Sequence, residues 1–108
     1  MRIVDISLSP NTRSMLIDAE FAMACMRAEG GGLIKFVLST ENGSVSRKKE
    51  LRAHLRKALK NGSIKQLIFG ENFSSSDKIS RFVCDFYPEA EQDPDFDAGN
   101  SNITIVRI

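Results

Sequence analysis

Two rhythms of apolar residues alternate along the chain. Short runs dense in Ile, Val, Leu and Phe are followed by longer stretches in which apolar positions return every three or four residues. Ile3, Val4 and Ile6 predict a buried strand over residues 1–7. Ser9-Pro10-Asn11-Thr12 then supplies a turn and capping side chains, with proline suited to a first helical turn. The helix that follows covers residues 13–28, with Met15, Ala19, Ala22, Met23 and Met26 on its core face and Leu16, Ile17 and Phe21 broadening that face. Gly30-Gly31-Gly32 ends it, because glycine accepts the positive φ of a helix stop.

Residues 33–38 read as a second strand, and residues 39–46 as a polar loop. A second helix over residues 47–60 stops at the turn signal Asn61-Gly62. Residues 64–69 form a third strand, and Ser74-Ser75-Ser76-Asp77 caps a third helix carrying Ile79, Phe82, Val83 and Phe86 at i, i+3, i+4 and i+7. Pro88 closes that helix. Residues 89–102 read as an acidic, mobile loop, and residues 103–108 as the last strand. The order β-α-β-α-β-α-β predicts an α/β fold: one small domain over residues 1–108, with about four mostly parallel strands alternating with helices.

Composition narrows the class. The chain is 42% hydrophobic and 27% charged, which excludes global disorder. No apolar run approaches membrane-spanning length, and the N-terminus opens into a strand rather than a signal segment, so a cytoplasmic protein without membrane contact is expected. Cys25 and Cys84 stand far apart without metal-ligand spacing, and reduced, buried thiols are expected. No cofactor or metal site is expected.

Charge changes the picture most. The net charge of +1 conceals a basic centre, +7 over residues 44–70, and an acidic end, −5 over residues 71–108. Seven of the eight basic residues of that centre lie on the second helix. There Leu51, Leu55 and Leu59 form an apolar seam at i, i+4 and i+8, and Lys48, Arg52, Arg56 and Lys60 repeat at the same interval beside it. Arg47, Lys49 and Lys57 add to this surface, and Glu50 is the one acid within it. Such a helix is suited to phosphates. No aromatic residue occurs between Phe36 and Phe69, so contact would follow the backbone of DNA or RNA rather than its bases.

Several segments resemble the Smr domain family, small α/β modules related to MutS-type proteins. The family's opening Leu-Asp-x-His-Gly corresponds to Val4-Asp5-Ile6-Ser7-Leu8, and its His-Gly-x-Gly loop to Ser39-Thr40-Glu41-Asn42-Gly43. Its helix reading Leu-Arg-x-Ala-Val corresponds to Leu55-Arg56-Lys57-Ala58-Leu59. Its closing glycine loop and strand correspond to Gly99-Asn100-Ser101-Asn102 and Ile103-Thr104-Ile105-Val106-Arg107-Ile108. The resemblance implies nucleic-acid binding and, in several members, endonuclease activity. Ser7 and Ser39 stand where the histidines belong, and serine has no basicity near neutral pH. A degenerate member without efficient turnover is therefore expected, and any residual activity would be that of an Smr-like endonuclease.

Other candidate chemistry is sparser. Asp5, Ser7 and Ser39, with Gly70, fall at strand ends, where ligands of open α/β sheets gather. They form either a polar pocket or, for Asp5, a cap on the following turn. His54 is the single histidine, expected at a surface or boundary position. Asp93, Asp95 and Asp97 alternate like a calcium loop, but Ala98 and Thr104 replace its glycine and glutamate. The leading expectation is a nucleic-acid-binding domain acting through Lys48, Lys49, Arg52, Arg56, Lys57 and Lys60. The alternative is a protein-interaction or self-assembly module that pairs a basic helix with an acidic loop of another chain.

Overall fold

Among the described residues the alternating rhythms resolve into seven helices and strands. The computed structural model describes residues 1–39 and 44–108. Residues 40–43, most of the segment matched to the family's His-Gly-x-Gly loop, lie outside the described residues. Strand β1 (Arg2–Asp5) is followed by α1 (Thr12–Ala28), β2 (Leu33–Val37), α2 (Ser44–Lys60) and β3 (Gln66–Phe69). A 3-10 turn at Gly70–Asn72 precedes α3 (Lys78–Phe86), a second spans Pro88–Gln92, and β4 (Ile103–Arg107) ends the order. The polar clusters act as caps: the Asn11 side chain accepts the Ser14 N–H at 2.8 Å, and Asp77 accepts that of Ser80 at 2.9 Å.

The sheet order is β1-β2-β4-β3. β1 pairs with β2 in parallel, whereas β4 lies between β2 and β3 and is antiparallel to both. The sheet is therefore mixed, and the expectation of mostly parallel strands is corrected. The cause is the segment before β4. Residues 88–92 sit beside the start of β1, where Glu89 lies 4.0 Å from the Met1 amino group. The chain then climbs back along the sheet to the far ends of β2 and β3. Ile103 pairs with Val37 and Thr104 with Phe69, so a strand entering there runs back down.

Side chains alternate between two cores, as the pleat requires. Ile34, Phe36 and Val106 pack under α1 and α2 with Met15, Met23, Leu51 and Leu55. Leu33, Ile68, Ile103 and Ile105 face the other way, toward Phe73, Val83 and Ala90. Ile17 and Phe21 depart from expectation. They remain 57% and 71% exposed, because they project from the side of α1 opposite Met15 and Ala19.

The acidic segment is a fixed strut rather than a mobile loop. Lys35, on the second core's side of β2, is 7% exposed and needs anionic partners there. Asp93 Oδ1 lies 2.9 Å from its ammonium, and Asp95 pairs with the same ammonium. Burial works against the Lys35 charge, but hydrogen bonds to Asp95 and Asp93 outweigh it and set its pKa above the ordinary lysine value. The Lys35 hydrogen bond likewise holds the Asp95 carboxyl below its usual range. Asp95 also accepts from the Asn100 side chain at 2.9 Å, and Asp97 accepts the Ser75 N–H at 2.7 Å. Asp93 and Asp95 thus share Lys35, while Asp97 serves Ser75.

Both cysteines are free, Cys84 buried and Cys25 half-buried, and burial pushes the Cys84 thiol pKa up. Among the described residues no helix is long and apolar enough to cross a membrane.

Candidate nucleic-acid interface

In a helix, successive i+4 positions advance by about 40° around the axis. The two expected stripes on α2 therefore wind round it instead of holding one face. Leu51 and Leu55 are buried, but Leu59 has rotated out to 41% exposure and Ala58 takes its place in the core. The basic stripe winds the same way and divides into residues with structural duties and residues facing solvent.

Lys48 lies on the flank nearest the sheet. Its ammonium donates to Ser101 Oγ at 3.0 Å and Asn102 Oδ1 at 3.2 Å. Burial, followed by the nearby Arg52 charge, depresses its pKa. One turn on, Arg52 donates through Nη1 and Nη2 to the Glu71 carboxylate at 2.7 and 2.6 Å. These bonds hold the Glu71 carboxyl below its usual range. The Arg52 guanidinium also lies 4.4 Å from the Phe69 ring centroid, and Arg56 lies 4.8 Å from the same ring. Arg47 is turned away to brace the loop before α1, donating to the carbonyls of Ser9 and Pro10.

The crown of α2, opposite Leu51 and Leu55, is made by Lys49, Ala53, Arg56 and Lys60 at i, i+4, i+7 and i+11. They fall within about 60° of one another, with Lys57 just beside them. All five are exposed. Lys49, Arg56, Lys57 and Lys60 make no ion pair among the described residues. Of the six cations expected to bind phosphate, four share this surface, while Lys48 and Arg52 are committed to the sheet edge. The acidic strut lies on the other side of the sheet, bonded to Lys35, and does not cover the crown.

The strand-end group binds itself. Asp5 Oδ1 accepts the Ser7 N–H at 2.9 Å, and the Ser7 side chain, followed by this backbone hydrogen bond, holds its carboxyl below the usual range. The Ser7 hydroxyl accepts the Ser39 N–H at 2.9 Å and donates to the Val37 carbonyl at 3.4 Å. Asp5 is thus a turn cap, and Ser7 ties the ends of β1 and β2. Gly70 is not part of this cluster; it lies against Asn100 and Ile103 at the end of β3. His54 occupies a boundary position, with Nε2 2.6 Å from Glu20 Oε1 on α1.

Phe69 and Glu71, the partners of Arg52, were not singled out by sequence reasoning. They lie beyond the turn that follows α2 and reach it only through the placement of β3. The cations were legible one by one, but the sequence aligned Lys48, Arg52, Arg56 and Lys60, and the set Lys49, Ala53, Arg56 and Lys60 emerged only with the orientation of α2 on the sheet. No family model, curated protein or solved structure matches this chain.

Proposed function

We propose that this domain binds the phosphate backbone of a nucleic acid through Lys49, Arg56, Lys57 and Lys60, with little sequence preference and without efficient catalysis. The observation that carries this reading is the crown of α2, where four cations face solvent away from the acidic side of the sheet. Helices need no such concentration of one sign for solubility. Lys57 and Lys60 also offset the carbonyls at the helix end, which accounts for part of the basic bias but not for Lys49 or Arg56. The likeness of several segments to Smr domains supports the same class of partner.

Absence of turnover is proposed on the same residues as before. Ser7 and Ser39 occupy the positions matched to histidines, and the Ser7 hydroxyl is engaged by the Ser39 N–H and the Val37 carbonyl in joining β1 to β2. A labelled single- or double-stranded oligonucleotide, titrated with the protein at low salt, tests binding. Affinity should be measurable and fall steeply with added salt, and no binding at low ionic strength would remove the reading. A plasmid nicking assay with and without divalent metal tests catalysis.

The division of charge across the sheet favours a second reading, assembly between copies. Exposed Asp85, Glu89 and Glu91 of one copy would meet the crown of another. Light scattering over a salt series separates the two, because only pairing of the crown with acidic residues gives a nucleic-acid-free increase in mass that salt reverses.

A further inference from the structure

Helix α1 carries on its outer side the same spacing that forms the crown of α2, but with apolar residues. Ile17, Phe21, Ala24 and Ala28 lie at i, i+4, i+7 and i+11 and are all exposed. They sit within about 60° of one another, opposite Met15, Ala19 and Met26. Their 4-3-4 spacing is that of a two-stranded coiled-coil seam. The helix is already anchored to its own core, so this outer seam adds nothing to the fold of one chain. An apolar trough of about 560 Å³ continues the seam toward α2, lined by Thr12, Arg13, Leu16, Ile17, Glu20 and His54.

We infer that α1 packs in parallel against α1 of a second copy of this chain, about a twofold axis running along the helices. Charge flanking the seam favours a second copy in this orientation. Arg13 borders one side and Asp18 the other, five positions later, the offset at which flanking residues of two parallel helices meet. Both are exposed, and neither makes an ion pair among the described residues, although Asp18 accepts the Ser9 hydroxyl at 2.6 Å. The twofold axis forms the Arg13–Asp18 contact twice.

The position of α2 gives a second, independent argument. It lies beside α1 on the same face of the sheet. An antiparallel α1 pair has its twofold axis perpendicular to the helices, which stacks α2 on α2 and brings two basic crowns together. A parallel pair sends the two α2 helices to opposite sides. That arrangement joins the apolar seams and keeps Lys49, Arg56 and Lys60 of the two copies apart. Ala24 and Ala28 permit close approach at one end, and Phe21 and Ile17 fill the other.

Sedimentation velocity over a range of concentrations, with the full chain and no nucleic acid, tests this. The expected result is a rise from monomer to twice the monomer mass. Phe21→Glu and Ala24→Glu should remain monomeric with an unchanged circular dichroism spectrum, since both sites are exposed. Arg13→Asp or Asp18→Arg alone should weaken association about tenfold, and the two together should restore it. Mild oxidation of Ala24→Cys should give a disulfide-linked dimer through that position, because like seam positions meet across a parallel axis. A wild-type monomer at every concentration, a dimer that survives Phe21→Glu, or a double charge swap weaker than either single swap would overturn the inference.

Discussion

Arg52 and Glu71 meet in two parallel hydrogen bonds of 2.7 and 2.6 Å, joining the middle of α2 to the turn after β3. This pair marks the border between the structural and the solvent-facing cations of α2. On its side of the helix Lys48 is held at the sheet edge; round the helix from it, Lys49, Arg56 and Lys60 face outward. The same contact fixes α2 against β3, so the direction of the basic crown depends on an acid outside the helix.

Replacing Glu71 by glutamine removes the anion that occupies Arg52. The freed guanidinium, still beside Phe69, becomes available to a phosphate. Nucleic-acid affinity should rise severalfold, and the slope of log K against log salt should steepen by roughly one unit, as one added phosphate contact requires. Fluorescence anisotropy at four or five salt concentrations measures both quantities.

Arg52→Ala should act mainly on the fold. It removes a bidentate pair whose arginine is 16% exposed and leaves Glu71 without its donor. Because the Glu71 end is well solvated, the expected loss is only about 1 kcal/mol. Urea unfolding followed by circular dichroism checks this figure.

The buried Lys35 cluster gives a pH signature with two edges. The lowered Asp95 pKa contributes stability that is present above the ordinary carboxylate range and lost as pH falls through the folded value. The raised Lys35 pKa contributes stability that is present below the ordinary lysine value and lost as pH rises through the folded value. Midpoints of urea unfolding should therefore fall below about pH 4 and again above about pH 10. Lys35→Met should cost roughly 3 kcal/mol near neutral pH, because it strands two carboxylates. That deficit should shrink in acid, where the stranded carboxylates protonate.

Gly70 has room for no side chain. A Cβ there would lie 1.8 Å from the Asn100 carbonyl oxygen and 2.7 Å from that of Ile103. Gly70→Ala should cost more than about 2 kcal/mol, because rigid backbone must give way on the side of β4. It should also disturb Ser101 and Asn102, the partners of Lys48, and thermal unfolding with amide chemical shifts would show both effects.

Periodicity made the elements legible, including all three helices and their caps at Asn11 and Asp77. It could not reveal the direction of β4. The Ile103–Arg107 pattern reads the same whichever way the strand runs, and its neighbours are set by how far the chain travels after Pro88. Lys35 was opaque for a related reason, since its partners stand 58 positions away for Asp93 and 60 for Asp95. Ile17, Phe21 and Leu59 looked like core because apolar identity was read without following their rotation around the helix. The cations of α2 were visible individually. Their division into crown and flank came only with the Arg52–Glu71 contact and the two hydrogen bonds of Lys48.

The most direct test of the account compares two triple substitutions in one binding assay. One removes crown cations, Lys49→Ala with Arg56→Ala and Lys60→Ala; the other removes flank cations, Arg47→Ala with Lys48→Ala and Arg52→Ala. Each changes the net charge by the same amount. With folding of each verified by circular dichroism, the crown variant should lose at least tenfold in affinity for a labelled oligonucleotide and about three units of salt slope, while the flank variant keeps most of both. Equal losses in the two variants, or a larger loss in the flank variant, would contradict a phosphate-binding surface on the crown of α2.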